Sequence, residues 1–373
     1  MIKNWLYALV VIFLGMQNSA NADSKAEKLL DKLRDDCQVL LTETYKSENS
    51  FVRAAVLRAA GDSHYPKLIP LLNKGIEDYY PTARLFALQS LKEISPTAAL
   101  SAARKLTNDP DIWVRSSAVE VLGEEGGTEV LEEMRGYLES YDVPMKLAAS
   151  AGLVKLGKND YIGEVLEPLT HPIPDRRYQA IGHLGKIGGE KVLPHLVKLL
   201  DHSEPEMVFY SLKALEGKAT PKILPKLKKL VKHSNPSIRQ VAAMAMGNLK
   251  NAEADLIPLC ADEDGLTQLS AAVALFRIGS DSCQVVFEEL LNHKDFKVRS
   301  SMARVLGKTA IPQRLRILTV SLGDSHSRVR TAAVRGLGMM GGADAFPLLV
   351  KMLKDPKAAI RAYAAGNLIR LLE

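Results

Sequence analysis

Asp109-Pro-Asp-Ile-Trp-Val-Arg-Ser-Ser-Ala-Val-Glu-Val-Leu-Gly123 decides the fold, because it recurs along the chain. From Arg115, steps of 31 residues land backward on Arg84 and Arg53, and forward on Lys146, Arg177, Val208 and Arg239. One step of 29 reaches Gln268, and three more of 31 reach Arg299, Arg330 and Arg361. Seven residues past these anchors stand Ala60, Leu91, Leu122, Leu153, Leu184, Leu215, Met246, Leu275, Leu306, Leu337 and Leu368. Three residues past most of them stands Ala, as at Ala87, Ala118, Ala149, Ala180, Ala242, Ala271, Ala333 and Ala364. A period of this length predicts stacked supersecondary units sharing one growing core, not a set of separate globular domains.

Each period holds two helical patterns. One resembles Lys191-Val-Leu-Pro-His-Leu-Val-Lys-Leu-Leu200, with apolar residues at i, i+1, i+4, i+7 and i+8; the other is the anchor helix, such as 112–122. Pro110, Pro144, Pro174, Pro205, Pro236 and Pro356 precede or open anchor helices, where a missing N–H costs nothing. Gly126-Gly127, Gly188-Gly189 and Gly341-Gly342 follow them, as helix-ending turns require. A further amphipathic helix is expected over 26–41. The expected fold is all-α, an α-solenoid of about eleven two-helix units filling 23–373 as one array.

Upstream, Lys3, the apolar run from Trp5 to Met16 and the small-x-small triplet Ala20-Asn21-Ala22 form the pattern of an export signal cleaved after Ala22. The run is too short to span a bilayer, which takes about 20 residues, and no Cys follows it to carry a lipid. A periplasmic or secreted protein is therefore expected. The formal charge is +6, and +5 without the first 22 residues, which lose only Lys3. So small a surplus does not imply nucleic acid. Cys260 and Cys283 are placed about 12 Å apart along equivalent helices, too far for a disulfide, so all three cysteines are read as small core residues.

These residues resemble the HEAT repeat in the short form shared with the phycobilin-lyase repeats. The signature is an Asp six residues before an Arg that follows Val. It stands complete at Asp109/Val114/Arg115 and Asp324/Val329/Arg330, and with Ile at Asp355/Ile360/Arg361. Pro70, Pro194, Pro225 and Pro347 match the family's first-helix proline. The resemblance implies a right-handed superhelix, an Asp–Arg ladder between successive repeats, and anchor helices on the concave side. Lys146, Val208 and Gln268 depart from it and should interrupt the ladder.

Four histidines, His171, His202, His233 and His293, occupy the position six before an anchor. With no Cys or carboxylate spaced to complete a ligand set, they are read as turn residues replacing Asp, not as a metal site. Gly307-Lys308-Thr309 lacks the earlier glycine and the strand of a phosphate loop. No His-Glu pair occurs, unlike in the di-iron hydroxylases built on similar repeats, and an export signal argues against the cytosolic phycobilin lyases. No catalytic residue, metal or cofactor is expected.

Anchor-helix positions −2, +1, +5 and +9 should point away from the core. They are mixed in the first repeats (Arg58, Gln89, Trp113, Glu120, Glu124). They are apolar in the middle (Leu147, Ala151, Tyr178, Phe209, Met244, Leu269, Val273) and basic later (Lys297, Arg304, Lys308, Arg328, Arg335). Residues 294–373 hold 15 basic and 5 acidic side chains. The expectation is a monomeric, non-enzymatic scaffold holding a protein or extended peptide in a concave groove. Trp113, Leu147, Tyr178, Phe209, Met244 and Leu269 would supply apolar contacts, while Arg304, Lys308 and Arg335 would orient acidic groups. The rival expectations are a binder of anionic polymer or membrane surface through the basic end, with any membrane contact peripheral, and a lyase- or hydroxylase-like enzyme.

Overall fold

The computed structural model describes the backbone from Ala20 to Glu373 and the side chains from Glu27 onward. The basic and apolar parts of the expected export signal lie outside the described residues. In chain order the helices are α1 (Ala20–Thr44), α2 (Ser50–Asp62), α3 (Ile69–Gly75), α4 (Pro81–Ile94), α5 (Pro96–Leu106), α6 (Ile112–Glu125), α7 (Leu131–Tyr137), α8 (Val143–Lys155), α9 (Ile162–Leu166), α10 (Pro174–Ile187) and α11 (Leu193–Lys198). They continue as α12 (Pro205–Leu215), α13 (Leu224–Leu230), α14 (Pro236–Met246), α15 (Glu253–Leu256), α16 (Gly265–Arg277), α17 (Val285–Leu291), α18 (Phe296–Leu306), α19 (Arg314–Ser321), α20 (Ser327–Met340), α21 (Ala345–Met352) and α22 (Ala358–Leu371). Among the described residues these make eleven pairs and no strand, an all-α repeat solenoid in which the even-numbered helices carry the anchors.

The entry to an anchor helix is built three times over. The side chain six before the anchor accepts the N–H of the residue two further on, as Asp78 does from Tyr80, Asp109 from Asp111 and Asp324 from His326. The residue four before caps the helix; Asn49, Asp111 and Asn235 accept N–H groups of the first turn. The anchor Arg then donates back to the carbonyls six and five residues earlier, as Arg115 does to Asp109 and Pro110. His171, His202, His233 and His293 perform the first of these tasks through Nδ1, which accepts from Ile173, Glu204, Asn235 and Asp295. Their shared position is a turn requirement.

The ladder runs forward, from an anchor Arg to an acid of the next repeat. Arg53 pairs with Asp78, Arg239 with Asp262 and Arg330 with Asp355. Where Ser140 or His202 takes the six-before place, the acid moves to the cap, giving Arg115–Asp142 and Arg177–Glu204. Among the described residues Arg361 serves only its own turn, donating to the Asp355 and Pro356 carbonyls. Gln268 keeps one staple, to the Asp262 carbonyl. Val208 has no polar group to offer, as its aliphatic side chain dictates.

The chain divides into two compact units: Ala99–Met302, and the chain up to Ala98 joined by Ala303–Glu373. In the first, α6, α8, α10, α12, α14 and α16 stack in sequence. Ala118, Ala149, Ala180, Ala242 and Ala271 are fully buried between them, as are Leu122, Leu153, Leu184, Leu215, Met246 and Leu275. The approach is closest where glycines meet: a Cβ on Gly123 would lie 2.8 Å from the Gly152 Cα. In the second unit α20 packs on α22, and α22 packs on α2 and α1. Last and first repeats therefore share one core. Arg335 donates two bonds to Asp62 at 2.7 and 3.0 Å, and Arg34 reaches the Leu372 carbonyl at 2.6 Å.

One expectation fails outright. Cys260 and Cys283 form a disulfide, with Cα atoms 5.9 Å apart. The 12 Å estimate gave both residues helical rise, yet Cys283 is a turn residue with φ +68°. Its loop lies against the preceding helix, where Ser280 Oγ donates to Glu253 at 2.6 Å. Cys37 is the buried core residue expected, and burial pushes its thiol up to about 12.

Candidate functional site

The apolar stripe does not form one open groove. Leu147 and Leu269 are 4% and 3% exposed, and Ala151 and Val273 are also buried. Positions +1 and +5 face the neighbouring anchor helices, so a helix packed on both flanks buries a wider arc than a surface helix does. Ion pairs also reach across two repeats. Lys186 of α10 donates to Glu120 of α6 at 2.6 Å, passing α8, whose Ala148, Ala151 and Gly152 are too small to hold them apart. Beside that pair lies His183, buried, with Nε2 3.5 Å from Glu120; desolvation lowers its pKa. Arg277 of α16 approaches Glu216, at the end of α12, to 3.7 Å. Leu147 and Leu269 are thus core residues, correcting the contact role expected of them.

Large apolar side chains do reach solvent at another edge, where the chain enters the anchor helices. Within Ala99–Met302 these are Ile112, Trp113 (48% exposed), Tyr141 (fully exposed), Ile173 and Tyr210 (36% exposed). Tyr178 and Phe209 are half-buried and join them: Tyr178 stacks on Tyr210 with centroids 4.5 Å apart, and Phe209 meets Tyr210 edge-on at 5.4 Å. Tyr178 donates to Glu204 at 2.5 Å, and Arg177 holds the same carboxylate. The Tyr178 and Arg177 hydrogen bonds keep Glu204 below the usual carboxylate range, while Glu204 pushes the Tyr178 phenol up to about 12. Met244 is half-buried among the stacked anchor helices. Of this edge, sequence reasoning found Trp113, Tyr178 and Phe209. It missed Tyr141, beside the cap Asp142, Ile173, at the cap itself, and Tyr210, which follows Phe209 within α12.

The basic residues separate as well. Arg335 is engaged by Asp62 and lies over the Tyr363 ring at 5.2 Å, so it is not free to orient a partner's acid as expected. Arg304 and Lys308 are exposed, and Lys308 lines a cleft of about 580 Å³. Among the described residues no group of three or more His, Cys, Asp or Glu side chains is arranged to hold a metal, and no helix is long and apolar enough to cross a membrane.

The period, the paired helices and the ladder agree with comparison by sequence. A family model described as HEAT repeats matches residues 69–153 and 283–369, and one described as a PBS lyase HEAT-like repeat matches 176–202. The chain is a HEAT-repeat protein. No curated protein matches its sequence. Among solved structures, the HEAT array is similar to human deoxyhypusine hydroxylase, with 18% identity and a TM-score of 0.34 over 66% of this chain and 96% of that one. It is also similar to the CpcE–CpcF complex of phycocyanin lyase from Nostoc sp. PCC7120, with 17% identity and a TM-score of 0.44 over 65% and 94%. Kap121p bound to Nup53p gives 14% identity and a TM-score of 0.41 over 95% of this chain, which spans about half of Kap121p, 48%. At these identities the likenesses concern the fold alone.

Proposed function

We propose that this HEAT-repeat protein is a non-catalytic scaffold that works after export and binds an extended segment of another protein along the edge where its anchor helices begin. The observation that carries this reading is the exposed row formed by Trp113, Tyr141, Ile173 and the Tyr178–Tyr210 stack on four successive repeats. Water-exposed aromatics in a line, braced by ion pairs, are the composition of binding hot spots. Repeats stack about 10 Å apart, while an extended peptide advances about 3.3 Å per residue. An apolar side chain at every third residue of the ligand would therefore meet one repeat after another. The Cys260–Cys283 disulfide supports an oxidising compartment.

The test is selection of phage-displayed peptides on the full chain, with affinities then measured on a Trp113→Ala/Tyr141→Ala variant. The expected ligands carry apolar residues in a three-residue rhythm and bind the variant about tenfold more weakly, with the melting temperature little changed because Tyr141 is fully and Trp113 half exposed. Equal affinity for parent and variant would remove the edge from consideration.

A further inference from the structure

Independently of that edge, the charged cleft in the unit joining the first and last repeats points to a second ligand. Its walls carry five Lys and Arg residues, His64 and two acids. Both acids are already satisfied: Asp62 takes two bonds from Arg335 and approaches Arg58 at 3.5 Å, and Glu93 lies 3.3 Å from Arg58. The other three cations, Lys308, Arg314 and Arg370, have no acidic partner among the described residues, yet line the same concavity. They come from separate places, the end of α18, the start of α19 and the end of α22, so only the fold assembles them.

We propose that Lys308, Arg314 and Arg370 form a binding site for a phosphate monoester or similar multiply charged phosphate. Two guanidinium forks and an ammonium supply directed donors for several phosphate oxygens, with more charge than one carboxylate would neutralise. The volume of about 580 Å³ falls in the range that holds small ligands or a headgroup. Arg58 and Arg335 act differently. By holding Asp62 and Glu93 they keep the cleft's own carboxylates from competing with the ligand. The chemistry fits two sources, a soluble phosphate compound and a lipid headgroup.

The experiment compares the full chain, Lys308→Ala/Arg314→Ala/Arg370→Ala, and the control Lys351→Ala/Lys354→Ala, whose exposed lysines do not line the cleft. Pyrophosphate binding is followed by titration calorimetry. Flotation uses phosphatidylcholine vesicles with and without phosphatidic acid. Saturable pyrophosphate binding that the triple variant weakens about tenfold or more, and the control leaves unchanged, supports the site with a soluble ligand. Flotation only with phosphatidic acid, with the same variant dependence, supports it with a headgroup ligand. Binding of neither probe, binding retained by the triple variant, or an equal loss in the control overturns it. Melting curves should nearly match across all three proteins, since none of the substituted side chains makes an ion pair or side-chain hydrogen bond among the described residues.

Discussion

The anchor arginine joins two tasks on one side chain. It closes the turn before its own helix through backbone carbonyls, and it reaches forward to the next repeat's carboxylate. Arg53 shows both, with donors to the Ser47 and Glu48 carbonyls and two bonds to Asp78 at 2.6 and 2.8 Å. Lysine has no fork that can do this, and Lys146 shows no rung among the described residues. Arg53→Ala should destabilise the chain by about 2 kcal/mol, read from urea unfolding, because it leaves a buried carboxylate with half its partners. Burial alone would raise the Asp78 carboxyl; the Arg53 hydrogen bonds and the Tyr80 N–H reverse that and hold it below its ordinary value. Asp262 is held low in the same way by Arg239. A carboxylate whose folded pKa lies below the unfolded one contributes stability that is full above about pH 4 and disappears as pH falls through the folded value. The urea midpoint should therefore be flat near neutrality and fall with acidification, and Asp78→Asn should blunt that fall. A ladder of this kind was implied by the resemblance to HEAT repeats, which rests on the Asp six residues before an anchor Arg. The shift of the acid to Asp142 and Glu204 was not, since it depends on which side chain completes the turn.

At the scale of a helix, periodicity identifies the apolar arc but not how many neighbours cover it. That is why Leu147 and Tyr178, at the same +1 position, differ: Leu147 is buried in the core, while the Tyr178 ring is half-buried and stacks on Tyr210. Part of the exposed edge escaped the sequence reading for a related reason. Tyr141 and Ile173 sit in turns, where no helical period applies. The disulfide lies at such a turn too. Cys260 and Cys283 are 23 residues apart, and closing a loop of that length is worth about 3 kcal/mol through the unfolded chain. Reductant should lower the melting temperature, and Cys283→Ser should show the lower value with or without reductant. An unchanged melting point would mean that the bond adds nothing to the stacking of α15 and α17.

Repeat arrays ordinarily end in units with one uncovered face. Here α22 covers α2, a contact between residues some three hundred positions apart that no local pattern announces; only the small residues hint at it. Gly366 lies against the Ala59 carbonyl, so any side chain there would overlap backbone. Gly366→Leu should separate these helices at a cost of about 3 kcal/mol or more. Hydrogen exchange would locate the damage: amides of α1, α2 and α22 should lose protection while those of Ala99–Met302 keep theirs. Uniform loss across the chain would show instead that the two units unfold together.

The joining of first and last repeats also bears on time. A growing polypeptide produces α2 about three hundred residues before α22, and its buried face lacks that cover in between. Neighbour-by-neighbour stacking can proceed in the interval, but α2 remains open to proteases and to wrong partners until α22 arrives. Chains that stop short, through a premature stop codon or a late nick, keep that face exposed.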